Sequence, residues 1–339
     1  MVLVNRDLLR GCGMKAWVGV RSGTDLHYVL QDFPRPVAGW GELLVRVRGV
    51  GVNRADQYPS GAHFSHSPPA PAPIPGLEAA GEVVEVGEGV EGFRPGDRVA
   101  AMVQGGAAEF VCVKAPLALR VPPGMDWAVA ACLPVSYLTA HNALVALGGL
   151  AARGSVLIHA VTSGVGLAAL HLAVLRGAGI VVGSSTSPAK LERLALSGLT
   201  LAIADPYEGF EQRVLEHTGG RGVDVVVDLI GGSVLNETMR STALGGRIVN
   251  VGRFGGVEAV VDLNLHAVRR IQLLGATFRT RSLDEHAAIV QAFLDDYEAD
   301  LAGGRLAPMM DRVFGFDELP AAVQRCMERR QFGKVALRA

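Results

Sequence analysis

Hydrophobic and polar residues follow two different rhythms along the chain, and the change falls near residue 133. Before it, from about residue 14 to 114, short aliphatic and β-branched runs are separated by glycine and proline, which is typical of strands and turns. Strands are predicted here at residues 43–52, 82–87 and 97–103. We expect this part to form a compact β-rich unit, and the proline-rich stretch 63–76 to be a loop.

After the change, strands alternate with helices, and glycines stand at the joints. The predicted strands are 155–161, 179–185, 201–205, 223–230 and 247–252. The predicted helices are 166–178, 188–198, 210–220 and 236–246. This alternation is typical of an α/β fold with a doubly wound parallel sheet of the Rossmann type. The chain closes with two more predicted helices and a strand, at 284–300, 316–330 and 333–339.

The stretch VLIHAVTSGVGLAALHLA (156–173) joins a buried strand to a helix through a glycine-containing turn. Free N–H groups and the helix dipole at such a turn favour a pyrophosphate. We expect Gly164 to relieve the turn and Gly166 to allow close packing of helix on strand. The residues predicted to contact the nucleotide are Ser163, Gly164, Val165 and Gly166. The G-x-G-x-x-G pattern is degraded at Val161 and Ser163, so the βα context carries the prediction, and a turn without a ligand is the alternative.

The end of the next strand, GSSTSPAK (183–190), indicates which nucleotide is bound. NAD sites commonly place a carboxylate here to bind the ribose hydroxyls, but no acidic residue occurs before Glu192. We expect Ser184, Ser185 and Lys190 to hold the 2′-phosphate of NADP, and a solvated turn is the alternative. NADPH is therefore the predicted cofactor, with NADH less favoured.

Composition narrows the class of protein further. The chain has 339 residues, 49% of them hydrophobic, and a net charge of −1. Extensive disorder is not expected, and there is no electrostatic reason to expect nucleic acid or a membrane surface as a partner. The four cysteines form no CxxC pair, which is typical of a reducing compartment, and residues 1–13 do not resemble a signal peptide, so we expect a cytoplasmic protein.

Four histidines invite a functional interpretation. His63 and His66 lie in a loop with no cysteine or acid close by, so we expect them to be solvated rather than metal-binding. His159 and His171 fall on the strand and helix of the nucleotide unit, where packing is the expected role.

Five motifs resemble a known family. They are GVNRADQYPSG (51–61), PGLEAAGEVVEVGEGVEGFRPGDRV (75–99), YLTA (137–140), VLIHAVTSGVG (156–166) and FGKVAL (332–337). In this order they resemble the zinc-free quinone oxidoreductases, ζ-crystallin-like and p53-inducible, of the medium-chain dehydrogenase/reductase superfamily. The resemblance covers nearly all of the chain from Met14 onward.

The resemblance implies an architecture. A GroES-like catalytic domain is expected at residues 14–132, a Rossmann domain at 133–281 and a C-terminal return to the first domain at 282–339, with residues 1–13 as an accessory tail. It also implies an active site in the cleft between the domains. A homodimer joined through an edge strand such as 271–278 is expected as well.

The resemblance also bears on metal binding. Zinc-dependent relatives read GHExxG where this chain reads PGLEAAG, so the position of the zinc-binding histidine is Leu77. The expected zinc cysteine is replaced by Asn53. We therefore expect no metal. Glu78 is expected to be a buried structural carboxylate, held by turn N–H groups or an arginine, and a catalytic Glu78 is the alternative.

Without a Lewis acid, hydride transfer is expected to favour an already electrophilic acceptor, such as a quinone or an alkene conjugated to a carbonyl. Reduction of an enoyl ketone or thioester, in secondary metabolism, is the alternative. The residues that match the family's catalytic motif are Asn53, Asp56 and Tyr58. We expect Asn53 to donate to the substrate carbonyl, Asp56 to orient its loop and Tyr58 to line the cavity or donate a proton; simple turn or packing roles are the alternatives.

Further cofactor contacts are implied by the same resemblance. Thr139 matches the position that contacts the nicotinamide amide, and the segment Gly252, Arg253 and Phe254 matches the one that closes over the nicotinamide. One departure argues against NADP: Asp205 stands where many NADP-binding relatives have a tyrosine, although Tyr207 follows two residues later.

Overall fold

A computed structural model describes residues 13–22, 25–57, 74–205 and 209–339. The chain divides into two compact units. The first comprises residues 1–135 and 278–339, and the second residues 136–277. These divisions fall a few residues from the predicted domain limits. Of the predicted tail, only Gly13 is described, and it begins the first strand.

The described residues form fifteen named strands and nine named α-helices. The strands are β1 (Gly13–Ser22), β2 (Asp25–Pro34), β3 (Glu42–Val52), β4 (Glu78–Val86), β5 (Arg98–Met102), β6 (Phe110–Lys114), β7 (Leu119–Arg120), β8 (Ser155–Ile158), β9 (Ile180–Ser184), β10 (Leu201–Ile203), β11 (Val223–Asp228), β12 (Thr242–Asn250), β13 (Gln272–Gly275), β14 (Met310–Gly315) and β15 (Lys334–Arg338). The helices are α1 (Trp127–Ala131), α2 (Thr139–His141), α3 (Gly164–Leu175), α4 (Pro188–Glu192), α5 (Phe210–His217), α6 (Leu235–Ser241), α7 (Leu263–Arg269), α8 (Leu283–Ala302) and α9 (Leu319–Met327).

The first unit is the GroES-like β-rich domain. Its main sheet has the order β14-β15-β3-β4-β5-β7, β6 also pairs with β3, and β1 and β2 form a separate hairpin. Strand β3 is buried along most of its length, so both of its faces need an apolar cover; one cover comes from Leu319 and Val323 on α9. The C-terminal strand β15 pairs antiparallel with β3, and Val335 lies opposite Val52. This register brings Lys334 beside Asn53.

The second unit is a Rossmann domain with a six-stranded parallel sheet of order β10-β9-β8-β11-β12-β13. The strand order reverses between β8 and β11. Open sheets of this kind bind ligands outside the carboxyl ends of their strands at that reversal. The predicted edge strand is confirmed, because β13 is the last strand of the sheet.

Three details of the predicted elements need correction. The helix predicted at 236–246 ends at Ser241, and the backbone is already extended at Thr242, where strand β12 begins; Gly245, with a φ of +74°, would not fit an α-helix either. Helix α4 is a single turn rather than the predicted 188–198. The helical stretch Trp127–Leu147, partly wound with π geometry, was not predicted.

Within the described part of the chain, Trp127–Leu147 is the one helical stretch long and apolar enough to cross a membrane by length and composition. Its most apolar window is 78% buried inside the protein, as in the core helix of a globular domain.

Candidate active site

A cluster of two buried residues, Lys334 and Glu78, and the half-buried Asn53 lies in the first unit. The ammonium of Lys334 donates to Glu78 Oε1 at 2.6 Å and to Asn53 Oδ1 at 2.7 Å. Asn53 Nδ2 donates to the same Glu78 oxygen at 3.0 Å. Because an ammonium only donates and a carboxylate only accepts, these contacts determine which way the Asn53 amide points. The three side chains therefore form a closed triangle of hydrogen bonds.

Glu78 is completely buried, and each of its oxygens has a donor. Besides Lys334 and Asn53 on one oxygen, the backbone N–H of Val135 donates to Oε2 at 2.8 Å. The opposite strand leaves room for this carboxylate because residue 51 is glycine; a Cβ there would lie 2.5 Å from Glu78 Cδ. The structural role expected for Glu78 agrees with these contacts, but its cation is a lysine instead of an arginine.

Lys334 stays charged in this position. Burial lowers the pKa of its ammonium, but the charge and hydrogen bond of Glu78, together with Cys132 and Cys326, outweigh burial and leave the pKa above the ordinary value of 10.5. The sequence reading missed this residue, although a signal was present: Lys334 is a lone cation in an apolar terminal strand, and a buried Glu78 requires a counter-charge.

The geometry does not support the predicted donor role of Asn53. Both hydrogens of its amide are engaged, one by Glu78 Oε1 and the other by the carbonyl of Gly51 at 3.3 Å. No N–H of the amide is left for a substrate oxygen. We therefore reassign Asn53 to holding Glu78 and Lys334 in place.

Asp56 lies next to this cluster and acts on the backbone, as expected. Its carboxylate accepts the N–H of Asn53 at 2.6 Å and the N–H of Gly76 at 3.1 Å, and its own carbonyl accepts the hydroxyl of Tyr28 at 2.9 Å. Burial raises the pKa of Asp56 from 3.8 to about 7, although the two N–H donors and Lys334 pull it down. Tyr58, the third predicted catalytic residue, lies outside the described residues, as do His63 and His66.

The residues at this site do not fit a zinc ion. Leu77 has no donor atom, and the oxygen of Asn53 is taken by the ammonium of Lys334. A fixed ammonium at this distance repels a second cation. Across the described ranges, the structure contains no group of three or more His, Cys, Asp or Glu side chains arranged to hold a metal.

The second unit contains the predicted nucleotide turn at the start of α3. Ser163 caps the helix, and its hydroxyl accepts the N–H of Gly166 at 3.1 Å. A Cβ on Gly166 would lie 2.7 Å from Val161 Cα, so this glycine does allow close packing of helix on strand. The predicted role of Gly164 is wrong: Gly164 and Val165 are ordinary helical residues, and the positive φ of the turn (48°) belongs to Ala160. The partly exposed start of α3, beside the reversal of strand order, fits a dinucleotide pyrophosphate.

The predicted phosphate contact of Ser184 needs correction. Its side chain is fully buried, and its hydroxyl lies 2.8 Å from His159 Nδ1. His159 Nε2 lies 2.9 Å from the hydroxyl of Thr238, so both ring nitrogens are satisfied inside the domain. Burial lowers the pKa of His159, although Asp228 opposes this, and a neutral packing histidine is the result, as expected. The hydroxyl of Ser184 is therefore not accessible to the phosphate of a bound nucleotide.

The next serine, Ser185, is also buried, at 5% exposure. Ser185 Oγ lies 3.1 Å from Thr162 Oγ1 and accepts the N–H of Ser187 at 3.3 Å. Lys190 is half-buried on α4, and Asp205 follows β10. Tyr207 lies outside the described residues.

The expected nicotinamide contacts also belong to the second unit. Thr139 is half-buried at the start of α2. Gly252, Arg253 and Phe254 follow β12, and Arg253 lines a cavity of about 280 Å³ together with Asp228 and Asn250. Residue 252 must be small, because a Cβ there would lie 2.6 Å from the carbonyl oxygen of Leu229.

Comparisons with known proteins match both units. The model of the alcohol dehydrogenase GroES-like domain matches residues 39–123, and the model of the zinc-binding dehydrogenases matches residues 164–294. The sequence is 42% identical to erythronolide synthase EryA2 of Saccharopolyspora erythraea over 90% of this chain, which spans 8% of that protein. It is 30% identical to a quinone oxidoreductase-like protein 2 homolog of Nematostella vectensis, covering 91% of this chain and 85% of that protein.

A solved structure of a mycobacterial quinone oxidoreductase superposes with a TM-score of 0.80. The two chains are 27% identical, and the match covers 96% of this chain and 100% of the other. The likeness therefore extends over both units of the chain.

Proposed function

The chain belongs to the medium-chain dehydrogenase/reductase superfamily, and from that premise we propose that it is an NADPH-dependent, metal-free oxidoreductase that transfers hydride to a quinone or another conjugated carbonyl compound. The nicotinamide nucleotide of this superfamily supplies the hydride when bound. The chain itself binds and orients the nucleotide and the acceptor, and excludes water.

One observation carries the metal-free part of the proposal. At the position where the resemblance places a zinc ligand set, the chain has Leu77 and an Asn53 whose oxygen is bonded to Lys334. A zinc ion polarises a carbonyl as a Lewis acid, and no residue in this set provides for one. An acceptor that is already electrophilic, because its carbonyl is conjugated, needs less activation.

The nucleotide turn supports the cofactor. The start of α3 offers N–H groups to a pyrophosphate, with Ser163 as its cap and Gly166 allowing the helix close to the strand. NADPH is favoured over NADH because no carboxylate lies between Ser185 and Lys190 at the carboxyl end of β9. Asp205 at the end of β10 opposes a phosphate and Ser185 is buried, so the preference rests on Lys190 and on the missing carboxylate.

A second candidate function has its own support. Its acceptor is an enoyl thioester or ketone, and a synthase, erythronolide synthase EryA2, is 42% identical to this chain over 90% of its length. Both candidates use the same hydride donor and the same kind of conjugated acceptor. The two candidates differ in the acceptor molecule, in which the conjugated carbonyl belongs either to a quinone or to an enoyl thioester or ketone.

Both candidates are tested by one set of measurements. We expect purified, metal-depleted protein to bind NADPH more tightly than NADH in a fluorescence titration. It should then oxidise NADPH with 9,10-phenanthrenequinone, and added zinc should not raise the rate. Turnover of a 2-enoyl thioester with no turnover of the quinone would favour the second candidate. Activity that is lost on chelation and restored by zinc would contradict the metal-free proposal.

We propose a homodimer as the working assembly. Strand β13 pairs only with β12 in the described sheet, so its outer edge has unpaired backbone groups. Large apolar side chains in the segment that precedes β13 in the chain are exposed: Val257 at 81%, Val260 at 87%, Leu263 at 73% and Val268 at 68%. Exposed apolar side chains together with an open sheet edge fit a second copy of the chain.

Sedimentation velocity tests this assembly. Val260→Glu combined with Val268→Glu should shift the protein to monomer, whereas Leu196→Glu, which changes a fully exposed leucine away from β13, should not. A wild type that sediments as a monomer would contradict the homodimer.

The described cysteines Cys112, Cys132 and Cys326 are free thiols, which supports a reducing, cytoplasmic location as part of the same proposal.

A further inference from the structure

Asp228 is a buried carboxylate at the carboxyl end of the central strand β11, and it is fully inaccessible to solvent. Its Oδ1 accepts the N–H groups of Ile230 and Gly231, both at 2.9 Å. Its Oδ2 accepts Asn250 Nδ2 at 3.3 Å. Asp228 therefore holds the loop that follows its own strand and, through Asn250, the end of the neighbouring strand β12.

Backbone contacts extend this link into the segment that follows β12. The carbonyl of Asp228 accepts the N–H groups of Val251 and Gly252, at 2.8 and 3.1 Å. Asn250 Nδ2 also donates to the carbonyl of Gly252 at 3.1 Å. Further along, Phe254 donates its N–H to the carbonyl of Leu229 at 3.3 Å. The position of residues 252–254 is thus determined by Asp228 and by the loop that Asp228 holds.

Close packing around residues 252–254 restricts where this segment can lie. A Cβ on Gly252 would lie 2.6 Å from the carbonyl oxygen of Leu229, so the two loops are in close contact. The neighbouring cavity of about 280 Å³ is lined by Asp228, Asn250 and Arg253. A change at the buried carboxylate would therefore move a cavity wall, because close-packed neighbours leave no room to absorb it.

We propose that Asp228 is a positioning residue for the nicotinamide half of the cofactor, acting through Asn250 and the segment Gly252–Arg253–Phe254. The inference rests on the proposed function, because that segment is assigned to the nicotinamide. Asp228 touches neither substrate nor cofactor in this role. It determines the orientation of the hydride donor, and the pyrophosphate turn at α3 supplies the affinity.

The test compares two carboxylates on the same strand. Asp228→Asn removes the charge; its amide oxygen can still accept the N–H groups of Ile230 and Gly231, but its NH2 then faces the NH2 of Asn250, so the link to β12 is lost. Asp224→Asn makes the same change at the amino-terminal end of β11, where Asp224 accepts the N–H and hydroxyl of Ser155 at 2.8 and 2.7 Å. Both variants lose a hydrogen-bonded carboxylate, but only the first lies beside residues 252–254.

For Asp228→Asn we expect roughly a tenfold to hundredfold loss of kcat with a Kd for NADPH within about threefold of wild type, because small displacements of a reacting group have effects of that size. The fluorescence lifetime of the bound nicotinamide should also change, a readout that needs no acceptor. Asp224→Asn should lower the melting temperature and leave lifetime and kcat near wild type. The double variant Asp228→Asn/Asn250→Asp restores a donor–acceptor pair between the two positions and should recover part of the rate.

Equal losses of kcat in the Asp228 and Asp224 variants would overturn the inference, as would an unchanged lifetime and rate in Asp228→Asn. If the wild type bound NADPH but reduced neither quinone nor enoyl acceptor, the proposed function would fail. The lifetime comparison would still decide the role of Asp228. If Asp228→Asn failed to fold, Asn250→Ala, which removes the same link from the side of its half-buried partner, should show the same change in lifetime.

Discussion

The ammonium of Lys334 and the carboxylate of Glu78 are 2.6 Å apart, and their side chains are 6% and 0% exposed. The two residues lie 256 positions apart in the sequence, and the antiparallel pairing of β15 with β3 brings them together. A buried pair of this kind compensates the desolvation of both charges only while both partners are present. The C-terminal strand is therefore attached to the candidate active site by a charge pair as well as by the sheet.

Removing one member of this buried pair should lower the free energy of unfolding far more than breaking a surface pair does. Lys334→Met leaves Glu78 charged and unpaired in the interior, and we expect a loss of about 3–5 kcal/mol in the free energy of unfolding, measured with urea. The double variant Lys334→Met/Glu78→Gln should recover part of this loss, because no buried charge remains uncompensated. As a matched control, Lys15→Met breaks the exposed pair with Asp32 and should cost less than about 1 kcal/mol. Equal costs for the two lysines would contradict the role of Lys334.

The architecture was predictable because it depends on local patterns. Strands and helices that alternate, with glycines at the joints, identify a parallel sheet without knowledge of any long-range contact, whereas the edge position of β13 was implied by the family resemblance. The errors lie where the local signal is ambiguous: the sequence after Ser241 has helix-forming residues, and only the pairing of β12 with β11 and β13 shows that it is a strand.

The candidate site was less predictable because its polar atoms choose partners in three dimensions. A sequence identifies Asn53 and Ser184 as possible donors but does not show that Glu78 and His159 already occupy them. Lys334 was missed for the same reason, since its function depends on the register of β15 against β3. Whether a polar atom already has a hydrogen-bond partner decides what role its residue can have, and this depends on how the chain packs.

The buried hydroxyl of Ser184 leads to a prediction about nucleotide preference. Ser184→Ala should lower the melting temperature, because His159 loses a hydrogen-bond partner, but should leave the ratio of Kd values for NADH and NADPH within about twofold. Lys190→Ala should lower that ratio roughly tenfold, which corresponds to about 1.4 kcal/mol for one phosphate contact. Fluorescence titration with both nucleotides measures the ratios. A larger effect from Ser184 than from Lys190 would contradict our reassignment.

Gly166 should tolerate no side chain. In Gly166→Ala the new Cβ would lie 2.7 Å from Val161 Cα, a backbone atom that cannot move without displacing the nucleotide turn. We expect a destabilisation of roughly 1–3 kcal/mol and weaker binding of NADPH. Gly13→Ala, where the nearest atom would be 3.9 Å away, serves as the control and should change neither. Calorimetry and nucleotide titration on the two variants provide the comparison.

The raised pKa of Asp56 predicts how stability depends on pH. The carboxyl group binds its proton more tightly in the folded protein, where its pKa is about 7, than in the unfolded chain, where it is close to 3.8. Between these two values the folded state holds the extra proton, so the contribution of Asp56 to stability falls as the pH rises from about 4 to 7. The full change is at most roughly 4 kcal/mol, from about three pKa units.

Asp56→Asn removes the titration, so the difference in urea-unfolding free energy between wild type and variant should change in favour of the variant as the pH is raised from 5 to 8. A difference that is constant over this range would show that Asp56 is already ionised at pH 5, held by Lys334 and the N–H groups of Asn53 and Gly76 more strongly than burial opposes.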